Sequence, residues 1–175
     1  MDHRKRMQSE FGFTLVELII VIIILGILAA LAIPQFVSST KDAEESTLAA
    51  NLAVLRNAIN LYSVQHSSTL PGAKKVDGSG TNTSAGDNPA AFNDQMLTYT
   101  DKTGKTNATL DRTNYPFGPY LSNGIPDNPI NGLATVKVLD SASALAVGDI
   151  DNTTGWLYNK QTGEIRANAT GYIAY

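Results

Sequence analysis

Residues 12–37 read GFTLVELIIVIIILGILAALAIPQFV, and this stretch decides the fold. From residue 13 to residue 37, 20 of 25 side chains are apolar, and no charge lies between Leu18 and Thr40. At ~1.5 Å per helical residue, residues 18–33 span ~24 Å and residues 18–37 span ~30 Å, which is the thickness of a bilayer core. The stretch therefore predicts a helix that crosses a membrane.

The composition and charge of the whole chain exclude several kinds of site. The 175 residues carry a net charge of −3, 17% charged side chains and no cysteine. Without cysteine there is no disulfide, thiolate zinc site or cysteine nucleophile. The acidic balance disfavours a nucleic-acid partner, because binding phosphates needs clustered lysine and arginine.

Three interpretations of the N-terminal segment compete. Ala30-Leu31-Ala32 fits the cleavage pattern of a secretory signal peptide, and a plain signal anchor would keep the whole segment. The third interpretation depends on Glu17, whose carboxylate lies at the edge of a charge-free span. If this carboxylate inserts into the membrane, it needs a partner, whereas at headgroup level it needs none. In each case the basic residues 4–6 predict that the first dozen residues stay cytoplasmic and that the following chain is exported.

The segment 12–36 resembles the prepilin signature of type IV pilins and type II secretion pseudopilins. The resemblance implies that a membrane-embedded peptidase cuts between Gly12 and Phe13 and methylates the new amine of Phe13. It also implies that Glu17 is the assembly glutamate, which pairs with the N-terminal amine of a neighbouring subunit. In the low-dielectric core of a filament, burying the two opposite charges as a pair costs less free energy than burying either charge alone.

Gly26 and Pro34 are predicted sites of helix bending or flexibility. Proline removes one backbone donor and bends a helix. The resemblance further implies that the segment between these two residues loosens when subunits pack into a filament.

After Pro34 the pattern becomes that of an amphipathic helix over 38–66. One apolar stripe recurs at spacings of three and four residues: Leu48, Leu52, Leu55, Ile59 and Tyr62. If Pro34 does not break it, one helix runs from about Phe13 to about His66. Residues 69–91 predict a long loop, and residues 89–99 a short helix.

The C-terminal part predicts strands at 135–139, 155–158 and 164–168, the last two joined in a hairpin. Val136, Trp156, Tyr158 and Ile165 are the expected contacts to the stripe of the helix. The fold class is therefore α+β, a long N-terminal helix packed on a small antiparallel sheet, as in type IV pilins. The predicted domains are a leader (1–12), a transmembrane or filament-core helix (13–37) and a periplasmic globular domain (38–175).

Segments at 117–121, 125–132, 155–159 and 162–168 resemble the major pseudopilins of type II secretion, general secretion pathway protein G. The resemblance implies a helical homopolymer that acts in protein secretion. Its implied partners are the prepilin peptidase, an inner-membrane assembly platform and minor pseudopilins or pilins. The implied location is the bacterial inner membrane, crossed once, with the globular domain in the periplasm.

Catalytic motifs are missing from the sequence, and calcium is the one ligand it suggests. The only histidines are His3 and His66, which are too few for a catalytic triad or a zinc centre. We therefore do not expect this protein to be an enzyme. Asp140, Asp149 and Asp151 are candidate calcium ligands, since oxygen-rich loops suit this ion, although the same residues are typical of a solvated turn. The major pseudopilins that this chain resembles bind calcium in a comparable loop.

Two further functions stay open. The same fold could serve as a type IV pilin of an extracellular pilus used in adhesion, motility or DNA uptake. From another class, the chain could be a membrane-anchored or secreted binding module whose leader only mimics that of a prepilin.

Overall fold

The structure is a computed structural model that describes residues 12–83 and 87–175. The helices are α1 (Leu15–Gln65) and α2 (Asp87–Leu97). The strands are β1 (Tyr99–Thr100), β2 (Thr106–Asn107), β3 (Val136–Leu139), β4 (Trp156–Asn159) and β5 (Ile165–Ala167). A 3-10 turn, Val147–Asp149, lies between β3 and β4. Most of the predicted leader lies outside the described residues.

The α1 helix is continuous over 51 residues and contains Pro34. This confirms the prediction of a single long helix. Proline at this position lacks the N–H that would bond to the carbonyl of Ala30, so one helical hydrogen bond is missing there. The helix nevertheless continues on both sides of Pro34.

The chain divides into two units, one ending at Asp42 and the other formed by Ala43–Tyr175. In the first unit every described side chain, from Gly12 to Asp42, is exposed. In the second unit α1 buries one stripe of residues: Leu48, Leu52, Leu55, Ala58, Ile59 and Tyr62. The predicted change from an apolar segment to a one-sided amphipathic segment therefore lies within a single helix.

The core of the second unit forms between the α1 stripe and the C-terminal sheet. All four predicted contacts belong to it, and Trp156, Tyr158 and Ile165 are at most 1% exposed. Phe92 and Met96 of α2 also belong to the cluster. At ~25 cal/mol per Å² of apolar surface, each fully buried large side chain contributes about 1.5–3 kcal/mol of transfer free energy. The α+β class is confirmed.

The C-terminal sheet is mixed, in the order β3-β4-β5, and corrects the prediction of a wholly antiparallel sheet. Strands β4 and β5 form the expected antiparallel hairpin, whereas β3 and β4 are parallel, with Val136 opposite Trp156. The reason is the connection 140–155, which is long enough to return the chain to the same end of the sheet. A hairpin turn would have been shorter.

Two small elements differ from the sequence-based expectation. Helix α2 begins at residue 87, so the loop after α1 is shorter than predicted. The two-residue strands β1 and β2 pair antiparallel and were not predicted. The buried side-chain amide of Gln95 joins this region. It accepts from the Gly72 N–H at 2.8 Å, donates to the carbonyl of Gly104 at 3.1 Å, and lies 3.3 and 3.5 Å from the carbonyls of Lys74 and Lys75.

Candidate functional site

Glu17, the proposed assembly residue, lies in the first turn of α1 and forms a capping box with Thr14. The Thr14 N–H and Oγ1–H both donate to Glu17 Oε2, at 2.8 and 2.7 Å. In return the Glu17 N–H donates to Thr14 Oγ1 at 3.2 Å. These contacts satisfy backbone and side-chain donors that the first turn of a helix otherwise leaves without partners.

This contact gives Glu17 a role within its own chain that the sequence analysis missed. The signal was present, because Thr-x-x-Glu ahead of an apolar run is the sequence pattern of a capping box. The carboxylate is exposed and accepts both hydrogen bonds from Thr14 through one oxygen, Oε2. Its other oxygen can still accept from a second group without breaking the cap.

The segment that follows Glu17 exposes its apolar side chains on every face. Leu18, Ile22, Ile27 and Leu31 are between 58% and 71% exposed. Helix α1 contains an 18-residue window, none of it buried, that is long and apolar enough to cross a membrane. Exposed apolar area of this extent requires a cover, either lipid or protein.

Gly26 and Pro34 both lie within this exposed segment. A Cβ built on Gly26 meets no atom within 4 Å, so nothing in the chain itself requires glycine there. Pro34 is inside the continuous helix. Flexibility between the two residues stays a prediction.

The structure does not group the three predicted calcium ligands. Asp140 accepts from Lys160 Nζ at 2.8 Å and from Gln161 Nε2 at 2.5 Å. These hydrogen bonds, first the one from Lys160, hold the pKa of the Asp140 carboxyl below its usual value. Lys160 is 3% exposed, and its ammonium also donates to the carbonyl of Asn82.

Asp149 and Asp151 take other partners. The Asp149 carboxylate accepts from the Ala146 N–H at 2.8 Å. Asp151 accepts from Asn168 Nδ2 and Lys137 Nζ, each at 2.7 Å, and these contacts, Asn168 first, hold the pKa of its carboxyl well below the usual range. Lys137 Nζ also donates to the Asp149 carbonyl at 3.2 Å, so a lysine ammonium occupies the oxygen-lined position of this loop.

Within the described ranges, 12–83 and 87–175, no three histidine, cysteine, aspartate or glutamate side chains are placed to hold a metal ion. The structure therefore does not bring Asp140, Asp149 and Asp151 together as one set of ligands. Their proximity in sequence reflects turn chemistry, in which each carboxylate binds nearby N–H groups or a lysine. Calcium binding by this chain stays a prediction without a described set of ligands.

His66 is the described histidine, and it is buried at the end of α1. Its ring stacks on Tyr62 with 3.9 Å between centroids, and Phe117 packs edge-on at 5.3 Å. Nδ1 lies 2.8 Å from the Tyr62 carbonyl, so this nitrogen carries the proton and donates. Burial lowers the pKa of His66. In the described part of the chain the hydrogen-bond partners of its ring are backbone groups of Tyr62 and Asp101, so no acidic side chain forms a dyad with it there. The arrangement is that of a structural histidine.

In this chain one long apolar helix leads into an α+β unit, which agrees with the α+β fold expected from the resemblance to type IV pilins. The comparisons with known proteins agree with that resemblance in its N-terminal segment. The family described as "Prokaryotic N-terminal methylation motif" matches residues 7–33. The predicted resemblance to prepilins is thereby confirmed over this segment.

Two kinds of curated protein are similar to about a third of the chain. The type II secretion system core protein G of Vibrio cholerae is 33% identical over 63 residues, 36% of this chain and 43% of the relative. That of Aeromonas hydrophila is 38% identical over 63 residues, with the same shares. The type IV narrow pilus major component of Thermus thermophilus is 48% identical over 54 residues, 31% of this chain and 47% of the relative.

These similarities are confined to part of each protein. The matched region spans less than half the length of these curated relatives. The relatives are named as a secretion-system core protein and a pilus component, and neither name denotes an enzyme. No solved structure matches the chain.

Proposed function

We propose that this chain is a structural subunit of a pseudopilus filament in type II protein secretion. The observation that carries the proposal is the N-terminal half of α1, which is apolar on every face, wholly exposed and headed by the single carboxylate Glu17. Such a segment needs lipid before assembly and protein after it. The similarity of about a third of the chain to core protein G supports this function.

In the proposed pathway the leader is cut between Gly12 and Phe13, and Phe13 is then N-methylated. The mature subunit waits in the bacterial inner membrane, crossed once by α1, with Ala43–Tyr175 in the periplasm. Its partners are other copies of itself, the prepilin peptidase, the inner-membrane assembly platform and minor pseudopilins. The apolar helix, retained because the cut precedes it, serves as the polymerisation element.

N-terminal sequencing and mass measurement of the mature protein test the processing step. The expected product begins at Phe13 and is one methyl group heavier than its sequence. A mature protein that begins at Leu31 or Ile33 would show secretory processing, which removes the helix and contradicts the proposal. A chain that keeps residues 1–12 would support the anchored binding module.

Two Glu17 variants separate its charge from its capping contact. Glu17→Gln keeps an oxygen that can accept from Thr14 but removes the charge, whereas Glu17→Ala removes both. If Glu17 pairs with the amine of another subunit, we expect both variants to be cleaved and folded but to form no filaments. Normal filaments from Glu17→Gln would show that the carboxylate acts only as a helix cap. Electron microscopy of sheared cell fractions, with immunoblots for cleavage, gives the readout.

A type IV pilin of an extracellular pilus is the second candidate. The observation in its favour is the 48% identity to the Thermus thermophilus pilus component, which is higher than the identity to either core protein G quoted above. Deletion of the gene distinguishes the two functions. Loss of protein secretion with intact surface pili indicates a pseudopilin, whereas loss of pili, adhesion or DNA uptake with intact secretion indicates a pilin.

A further inference from the structure

The C-terminal sheet has a second face, opposite the one that packs on the stripe of α1. Side chains alternate along each strand, and those that belong to the core lie on the α1 side. Lys137, Leu157 and Arg166 therefore form a row across β3, β4 and β5 on the second face. Leu157, in the middle of this row, is completely buried, so the second face is covered as well.

The loop 140–155 is fixed to the hairpin of β4 and β5 in its first part. Glu164 lies next to β5 and binds Arg166 Nε at 2.6 Å through Oε1. Its other oxygen, Oε2, accepts from the Leu145 N–H at 2.7 Å. One carboxylate thus joins a charged residue of the second face to the backbone of the loop.

In its second part the loop is fixed by Lys137 of β3. The ammonium donates to the Asp149 carbonyl at 3.2 Å and to Asp151 Oδ2 at 2.7 Å. The side chains of Lys137 and Asp151 are 33% and 37% exposed, so water screens this pair only in part. Carbonyl and carboxylate oxygens of one loop that converge on a positive charge are typical of calcium sites. Here the positive charge belongs to the protein.

The other oxygen of Asp151 also has partners within the chain. Oδ1 accepts from Asn168 Nδ2 and from Thr153 Oγ1, each at 2.7 Å, and from the Thr153 N–H at 3.0 Å. Asn168 Oδ1 in turn accepts from the N–H groups of Asp151 and Asn152 at 3.0 and 3.2 Å. The Asp151 carboxylate therefore connects β3 with the segment that follows β5 through hydrogen bonds of the chain itself.

A second lysine stands in the same relation to the start of the loop. Asp140 Oδ2 binds Lys160 Nζ at 2.8 Å, and Oδ1 accepts from Gln161 Nε2 at 2.5 Å. Lys160 is 3% exposed, and a buried ammonium strongly destabilises a fold if its opposite charge is removed. Asp140 and Asp151, two of the three candidate calcium ligands, thus each neutralise a lysine of this chain.

We infer that the ammonium groups of Lys137 and Lys160 hold the loop 140–155 in place and make it independent of calcium. A calcium ion at either carboxylate would have to displace the lysine or lie beside a charge of the same sign, and both cost free energy. The inference departs from the expectation that the resemblance to the major pseudopilins raised. It applies equally to a pseudopilus subunit and to a pilin, so it does not rest on the proposed function.

The wild-type chain tests the independence from calcium without any substitution. The full chain in detergent micelles is compared in EGTA and in millimolar calcium chloride at constant ionic strength. We expect the same unfolding midpoint in both, and the same hydrogen-exchange rates for the amides of Asp151, Asn152 and Thr153. A midpoint or an amide protection that rises with calcium and falls again when EGTA is added would overturn the inference.

Lys137→Met tests the ammonium, with Lys105→Met as the matched control. Methionine keeps an unbranched apolar side chain and removes the charge. Lys105 is exposed and lies between β1 and β2, away from the loop 140–155 in sequence. We expect the three amides to exchange roughly two- to fivefold faster in Lys137→Met, the range for a partly exposed ion pair, and at wild-type rates in Lys105→Met. Wild-type exchange in Lys137→Met would show that the loop is held without the ammonium and would overturn the inference.

Asp151→Asn completes a double-mutant cycle that identifies the partner of the ammonium. Asparagine keeps the oxygen that accepts from Asn168 and Thr153 but removes the charge that binds Lys137. If the ammonium acts through this carboxylate, Lys137→Met should accelerate exchange less in the Asp151→Asn background than in the wild type. The same fold-change in both backgrounds would mean that Lys137 acts only through its apolar stem, and the inference would fail.

Discussion

The two halves of α1 share one helix but solve opposite packing problems. In the first half, up to Asp42, every described side chain is exposed although most are apolar. In the second half fewer residues are apolar, yet Leu48, Leu52 and Leu55 are completely buried. The number of apolar residues therefore does not determine which part of this helix lies in a core.

What distinguishes the halves is the arrangement of their apolar residues. A stripe that repeats at three and four residues presents one face to a sheet, whereas an apolar surface all round has no single face to bury and suits lipid or a bundle of helices. Because every described side chain of the first half is exposed, either lipid or protein can cover its apolar surface. The second half cannot leave its sheet without losing the core.

Truncating one leucine in each half should give the largest difference in the free energy of unfolding. Leu55→Ala removes a fully buried side chain and leaves a cavity, so we expect the free energy of unfolding of the second unit to fall by about 2–5 kcal/mol. Leu31→Ala removes a side chain that is 71% exposed and should leave this free energy unchanged. Denaturant titration of the full chain in detergent micelles, followed by fluorescence of the single tryptophan, Trp156, measures both. Equal losses would show that the halves unfold as one unit.

The sequence predicts the helix and its core contacts well because both depend on local periodicity. The sequence predicts the stripe of α1 and its contacts, and all of them lie in one cluster with Val136, Trp156, Tyr158 and Ile165. The parallel pairing of β3 with β4 was missed, because alternation within a strand carries no information on the direction of its neighbour. That direction depends on the path of residues 140–155.

The candidate sites were predicted unevenly for a related reason. A motif such as residues 12–18 is contiguous, so the sequence displays it whole. The partners of Asp151 are Lys137 and Asn168, which are 14 and 17 residues away in sequence, and only the folded chain shows that a lysine takes the place expected for a cation. Likewise, the burial of His66 depends on Phe117, which the helix pattern alone does not indicate.

The buried end of α1 should respond to pH. Burial lowers the pKa of His66 in the folded state, so the unfolded chain binds its proton more readily. The stabilisation from neutral His66 is therefore complete above the unfolded pKa of about 6.5, and it is lost as the pH falls from there towards the folded value. We expect the free energy of unfolding to decrease between pH 7.5 and pH 5.5 with a slope of at most about 1.4 kcal/mol per pH unit, the value for one proton.

His66→Phe is the matched variant for this test, since it keeps an aromatic ring against Tyr62 and removes the titration. Asp101 and Lys74 also act on His66, but aspartate and lysine titrate outside this window. Denaturant titrations at a series of pH values should show the slope in the wild type and not in the variant. An identical slope in both proteins would assign the pH dependence to another group.

The exposed start of α1 should show the smallest effect, because only a cap is lost there. Thr14→Ala removes the hydroxyl that donates to Glu17 Oε2 and accepts from the Glu17 N–H. Losing an N-cap of this kind costs about 0.5–2 kcal/mol, and we expect the low end because a fraying first turn does not disturb the core of the second unit. Amide hydrogen exchange in micelles should accelerate in the first turn of α1 and nowhere else, while Thr14→Ser keeps the wild-type rates. Faster exchange in Ala43–Gln65 as well would mean that the two halves of the helix are coupled and would remove the distinction drawn between them.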